Sequence, residues 1–206
     1  MNGTLYGTTA AGGISDARAF SPDPVAVVAA HFRPGEELGA GTVFSLDPNT
    51  GAETVLDSFG GTGGQEPLAS LIDVKGTLYG TTLYGGSGDC SDYGCGTVFS
   101  INPNTGAETV LHSFKGGKDG QWPVAGLIDV DGMLYGTTAY GGAPGFGTVF
   151  SVDPKTGAEK VLYTFDGGID GAKPLSALID VKGSLYGTTY AGGAYGYGTV
   201  FVLEKR

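Results

Sequence analysis

Basic residues are scarce in this chain. Its 206 residues hold 11 Lys and Arg against 21 Asp and Glu, a formal charge of −10 at pH 7. The basic residues form no cluster, so nucleic acid and anionic membrane surfaces are poor partners. Long apolar runs are missing too: none approaches the ~20 residues of a membrane-spanning helix. No basic stretch followed by an apolar one opens the chain, so no signal peptide is visible. The histidines are His31 and His112. Neither a Gly-x-Ser-x-Gly elbow nor a His-Glu-x-x-His helix occurs. These gaps point to a protein without catalytic residues, cofactor or metal. No window keeps apolar residues at helical spacing over ten positions, so no helix is expected.

Glycine, by contrast, is abundant. There are 40 glycines, far above the usual ~7%, and they recur at fixed places. Leu-Tyr-Gly-Thr-Thr starts at Leu5, Leu78, Leu134 and Leu185, and Gly-Thr-Val-Phe at Gly41, Gly96, Gly147 and Gly198. Thr-Gly-Ala-Glu starts at Thr50, Thr105 and Thr156, and Leu-Ile-Asp-Val at Leu71, Leu127 and Leu178. The last two Gly-Thr-Val-Phe intervals (96 to 147, 147 to 198) are both 51 residues. A period near 50 with several short strand-like runs indicates a propeller or another repeat array.

Each period holds four such runs, labelled A to D. In the third they are Pro123–Val130, Met133–Thr138, Thr148–Asp153 and Ala158–Phe165. Lys75-Gly76, Asp131-Gly132 and Lys182-Gly183 separate A from B, which suits a tight hairpin turn with positive φ. Asp-Pro-x-Thr-Gly, or its Asn version, separates C from D, with proline presetting the turn and glycine accepting the left-handed position. These turns share one end of the sheets. The B–C and D–A connections share the other end and carry the length variation. Variable loops on a rigid scaffold are where binding usually sits. Small pairs on run A (Ala69-Ser70, Ala125-Gly126, Ser176-Ala177) suit a crowded propeller axis.

The expected fold is therefore all-β: a β-propeller-like array of about four antiparallel four-stranded blades in a single repeat domain. The repeats fall at about 1–66, 67–122, 123–173 and 174–206. A β-solenoid is the alternative. The strands run B C D, A B C D, A B C D, A B C, so the first blade lacks A and the last lacks D. That shortfall points first to a piece of a longer array or an incomplete ring. Second, it points to self-association through the incomplete edge blades.

The motif from LYGTT through the glycine-rich segment, GTVF and Asp-Pro to a run such as ETVLHSF resembles the GloVer tandem-repeat family, named for the bacterial groups where it abounds. The resemblance covers all four copies. It implies an extracellular, surface-associated bacterial repeat protein, often with a separate sorting or anchoring tail, and no established activity. TVFSLDPNTGAETVL also resembles the C–D element of quinoprotein-type propellers, which implies fold only.

Cys90 and Cys95, in GDCSDYGCG, read as a local disulfide closing an insertion in an oxidising compartment; two reduced thiols are the alternative. Residues 14–40 form a longer insertion. It reads as a loop covering the first blade, or as a ligand-shaping flap with His31, Arg33, Glu36 and Glu37. The D–A loops read GGTGGQEP, GGKDGQWP and GGIDGAKP. Asp119 and Asp170 align there as turn residues, too few for calcium. Trp122 shares its position with Glu66 and Lys173, which reads as solvent-facing. Tyr84, Tyr140, Phe146 and Tyr197 lie at the same end, where most are expected to pack between blades. His112 reads as a surface strand residue. The candidate ligand contacts are Trp122, Asp119, Asp170, Tyr84, Tyr140, Tyr197 and Arg33, for a glycan or protein ligand. A propeller glycosidase is the remaining alternative, and it needs a carboxylate pair across a pocket.

Overall fold

The structure, a computed structural model, describes residues 3–13 and 39–204. Most of the 14–40 insertion, with Arg33, lies outside the described residues. The described chain is all-β, with fourteen strands in four antiparallel sheets. Blade 1 is β1 (Leu5–Thr9), β2 (Thr42–Leu46) and β3 (Glu53–Ser58). Blade 2 is β4 (Ile72–Val74), β5 (Thr77–Thr82), β6 (Thr97–Ile101) and β7 (Glu108–Ser113). Blade 3 is β8 (Ile128–Val130), β9 (Met133–Thr138), β10 (Thr148–Val152) and β11 (Glu159–Thr164). Blade 4 is β12 (Ile179–Val181), β13 (Ser184–Thr188) and β14 (Val200–Glu204). Strand order in each sheet follows the chain. The only helical turns among the described residues span three residues each.

The turn chemistry is as expected. Lys75, Asp131 and Lys182 take φ of 55°, 56° and 54°, each followed by a positive-φ glycine. Gly51, Gly106 and Gly157 close the C–D turns at φ near 71°, and Asp47 Oδ1 accepts the Asn49 N–H at 2.8 Å. Run A is shorter than expected. Only Ile128–Val130 of Pro123–Val130 is strand, because the segment's polar groups are used across the seam instead: Ala125 O accepts the Thr81 hydroxyl at 3.2 Å.

Each letter of LYGTT has a place. The leucine enters the seam with the preceding blade: Leu78 joins Val43 and Phe59 of blade 1, and Leu134 joins Val98 and Phe114 of blade 2. The tyrosine faces the following blade, as Tyr79 does. The glycine lies under the GTVF phenylalanine ring; a Cβ on Gly136 would stand 2.6 Å from Phe150 Cζ. The first threonine ties its blade to the next, as Thr81 does to Ala125 and Thr137 does to Pro174 O at 3.2 Å. The second bonds the GTVF threonine, with Thr82 and Thr97 hydroxyls 2.8 Å apart.

Blades pack in chain order. One apolar cluster joins blades 1 and 2, a second joins 2 and 3, and a third joins 3 and 4. Both faces of a middle blade are therefore buried, as sheets covered on both sides require. Strands β4 and β8 touch across their seam, so the first strands lie at the narrow side. Among the described residues no cluster joins blade 4 to blade 1.

Candidate functional site

The B–C and D–A loops knit together at one end of the blades. Gln65 pairs with Tyr84, Gln121 with Tyr140 and Ala172 with Ala191 as isolated bridges. The next residue in each D–A loop turns back to the preceding blade: Glu66 N–H donates to Ala40 O, Trp122 to Cys95 O and Lys173 to Phe146 O. These bonds hold Glu66, Trp122 and Lys173 at φ of 55°, 59° and 56°. A left-handed backbone costs a bulky residue of order 1 kcal/mol that glycine would not incur. The three side chains are thus held in place at the seams.

Between them stand the tyrosines that follow strand B. The result is a row across three seams: Glu66, Tyr84, Trp122, Tyr140, Lys173. Trp122 meets Tyr84 edge-on at 5.9 Å and Tyr140 at 5.2 Å between centroids. The Lys173 ammonium lies 4.9 Å from the Tyr140 ring centroid, a cation–π contact. Burial raises the Glu66 carboxyl above its usual value. Burial, and secondarily the Glu66 charge, raises the Tyr84 hydroxyl. Tyr93 stacks on Tyr84 at 5.4 Å and is exposed. Its short turn, Ser91–Tyr93, is closed by the Cys90–Cys95 disulfide, which has formed.

Trp122 differs from its expected solvent-facing position. It is half-buried between the two tyrosines, and its Nε1–H donates to Gly94 O at 3.3 Å. Tyr84 and Tyr140 pack across seams as expected, while Tyr197 is 91% exposed at the edge of blade 4. Asp119 and Asp170 are loop ties. Asp170 Oδ2 accepts the Asp166 N–H at 2.8 Å and the Tyr163 hydroxyl at 3.1 Å. Asp119 Oδ2 accepts the Lys115 N–H at 2.7 Å and faces His112 Nε2 at 3.3 Å. His112 is half-buried in the seam rather than on an open strand surface.

Sequence reasoning missed what the seams bring together. Glu159, the glutamate of Thr-Gly-Ala-Glu, reaches back to the preceding blade, so that His112, Asp119 and Glu159 each offer a ligand atom within 4.8 Å of the others. That geometry could hold a divalent cation. Blade 3 closes the same loop with Tyr163 in place of histidine, so the arrangement serves first as a loop tie. In the seam before it, Glu108 faces Asp57. Asp57 Oδ2, Glu108 Oε1 and Glu159 Oε1 are shielded and lack hydrogen-bond partners. Burial, then Asp57, pushes the Glu108 carboxyl up to about 7. Burial, then Asp119, does the same to Glu159, also to about 7. Burial opposes the Asp119 charge, but the His112 and Lys115 hydrogen bonds outweigh it and hold Asp119 below its usual value.

These shifts set a pH dependence. A carboxyl raised from 4.5 to about 7 binds its proton more tightly in the folded chain. Its folded form therefore loses stability as pH rises from about 4.5 through 7. Both side chains are only partly buried, so solvent screening discounts the effect. We expect the melting temperature to be at least about 3 °C higher at pH 5 than at pH 8. Glu108→Gln with Glu159→Gln should flatten the profile. A parent profile that rises toward pH 8 would contradict this assignment.

The shielded carboxylates Asp57, Glu108 and Glu159 thus lie in seams. The grooves run elsewhere. One of about 490 Å³, lined by Asp131, Met133, Tyr135, Lys182 and Glu204, opens at the tight-turn end between blades 3 and 4. Another of about 630 Å³ lies beside β14, lined by Tyr135, Lys160, Leu162 and Leu203. The tight-turn end therefore has more recessed surface than its short turns suggested.

The sequence matches the Gloeobacter/Verrucomicrobia repeat over residues 30–205. The chain belongs to this repeat family. Among solved structures, the Gloeobacter/Verrucomicrobia repeat domain is similar to a chain of a nidogen/laminin complex. The TM-score is 0.51 at 16% identity, over 80% of this chain and 56% of that one. It also matches TolB from Acinetobacter baumannii, with a TM-score of 0.48 at 12% identity, over 81% of this chain and 36% of that one. The repeat domain thus spans about half or less of either length. The fold is propeller-like, with sheets that do not close. No curated protein matches the sequence.

Proposed function

We propose that this repeat domain is a non-enzymatic binding module that takes a neutral oligosaccharide on its loop face. The observation that supports the reading is the aromatic row from Tyr84 through Trp122 to Tyr140, ending on Lys173. Aromatic rings offer apolar faces, and hydroxyl and ammonium groups beside them give hydrogen-bond partners. Exposed Tyr93, Tyr190, Tyr195 and Tyr197 widen the aromatic surface at that end. A charge of −10 disfavours polyanionic sugars. The Cys90–Cys95 disulfide fits an extracellular or cell-surface setting.

A glycan array with the parent chain and Tyr93→Ala tests this. Tyr93 is 62% exposed, so its truncation removes its ring contact with Tyr84 and leaves the buried core untouched. We expect binding to neutral oligosaccharides, weakened about tenfold in the variant, a loss near 1.4 kcal/mol. Binding to no sugar would overturn the glycan reading and leave a protein ligand for the same face. Opening the disulfide should also weaken binding. Cys90→Ser with Cys95→Ser is expected to cost about 2 kcal/mol of stability through the short loop it frees, and to loosen Tyr93. Unchanged melting and unchanged affinity would contradict that role.

A further inference from the structure

The seam between blades 2 and 3 gathers three side chains that can ligate a metal. His112 comes from β7, Asp119 from the short turn Gly117–Asp119 that follows it, and Glu159 is the first residue of β11. One donor atom of each lies within 4.8 Å of the other two. An imidazole nitrogen with two carboxylates is a mixed donor set, which suits a first-row transition-metal ion.

Comparing the copies separates this set from the loop tie. Blade 3 makes the tie without histidine: Asp170 Oδ2 accepts the Asp166 N–H at 2.8 Å and the Tyr163 hydroxyl at 3.1 Å. Asp119 makes the same backbone tie to the Lys115 N–H at 2.7 Å. A histidine is therefore not needed to hold the loop. In the seam before, Asp57 and Gly63 stand in the places of His112 and Asp119, so Glu108 has one carboxylate there and no imidazole. Among the described residues, the three donors come together at one seam.

Two details of the geometry point to an ion. His112 Nε2 lies 3.3 Å from each Asp119 carboxylate oxygen. That is long for a charge-assisted hydrogen bond, which usually spans about 2.7–2.9 Å. It matches the donor–donor edge of about 3.3 Å in a tetrahedral site with bonds of about 2.0–2.1 Å. Second, Glu159 Oε1 is shielded and has no hydrogen-bond partner. A shielded carboxylate oxygen without a donor costs free energy that a bound cation removes. The imidazole is also fixed in place, edge-on at 4.8 Å from the ring of Phe114, which is fully buried.

We propose that His112, Asp119 and Glu159 bind a zinc ion that clamps blade 2 to blade 3. Three protein ligands leave a fourth position for water. Thiolates take no part, since Cys90 and Cys95 form the disulfide. Magnesium and calcium prefer all-oxygen sets, so they should compete poorly. None of the three residues belongs to the aromatic row, so the proposal stands apart from sugar binding.

Calorimetric titration with Zn²⁺ tests it on the untagged, chelator-treated chain, with His112→Tyr and Glu159→Gln as variants. His112→Tyr installs the residue that blade 3 carries there, and Glu159→Gln keeps the shape of the side chain. His31→Gln controls for the other histidine. The parent is expected to take one zinc ion per chain, with or without excess magnesium. Each seam variant should bind at least tenfold more weakly, and His31→Gln should bind as the parent does. Zinc at about a hundredfold excess over the parent's dissociation constant should raise its melting temperature by about 5 °C or more. The seam variants should gain no more than about half as much. A parent that binds no zinc saturably would overturn the proposal. So would binding that survives both seam variants, which would mark the ion as adventitious. Loss in only one of them would overturn it too, because the proposed site needs both donors.

Discussion

Phe150→Ala should cost about 3–5 kcal/mol, the usual range for emptying a buried aromatic site. The ring is fully buried. It meets Phe114 of the neighbouring blade edge-on at 5.1 Å and covers Gly136 within its own. It thus joins two blades and also fills one. Phe44, its counterpart in blade 1, is only half-buried, and Phe44→Ala should cost about half as much, because less surface returns to water. Urea unfolding followed by circular dichroism measures both. Equal losses would mean that the blades do not share their cores as the seam clusters indicate.

Gly136→Ala is the second large effect, and it comes from adding one carbon. The new Cβ would stand 2.6 Å from Phe150 Cζ and 2.9 Å from Leu127 Cδ2. Leu127 and Phe150 are both buried in the seam with blade 2, so neither can step aside freely. Overpacking of this kind costs about 1–3 kcal/mol and sometimes more; with both neighbours fixed we expect about 3 kcal/mol. Gly132→Ala is the control. Its φ is +83° with open space around it, so it should lose only about 1 kcal/mol through backbone strain. Gly136→Ala with Phe150→Leu should recover part of the loss, since neighbours of this kind are coupled. A Gly136→Ala chain no less stable than Gly132→Ala would remove the physical reason given for the glycine in LYGTT.

The strands were legible in the sequence because their signals are local. Lys75-Gly76 and Asp153 to Gly157 announce turns with their own residues, and runs such as Thr97–Ile101 alternate between two buried faces. The order of strands around each blade followed from those turns. The short first strand was less legible. Pro123 to Leu127 has strand composition, yet its Ala125 carbonyl serves Thr81 across the seam, a use that only packing reveals. The aromatic row was half visible. Repeat alignment put Glu66, Trp122 and Lys173 at one position, but an alignment cannot show which tyrosines each one meets. Trp122 therefore read as exposed when it is clasped by Tyr84 and Tyr140. The grouping of His112, Asp119 and Glu159 was hidden for the same reason. Its members come from two blades, and nothing in the spacing of 112, 119 and 159 marks them as neighbours.

The B–C and D–A loops knit into one face of this domain. The loop face is where its copies differ most, with glutamate, tryptophan and lysine at one repeated position. A ligand on that face must pass close to Trp122, which is also the only tryptophan. Its fluorescence therefore reports on the proposed site and on no other part of the chain. The most direct measurement is a titration of Trp122 emission with a neutral oligosaccharide retained on the array. A saturable change in intensity or wavelength, reduced about tenfold in apparent affinity by Tyr93→Ala, is the result this account predicts. Saturable binding by calorimetry with no change in Trp122 emission would place the ligand elsewhere and contradict it.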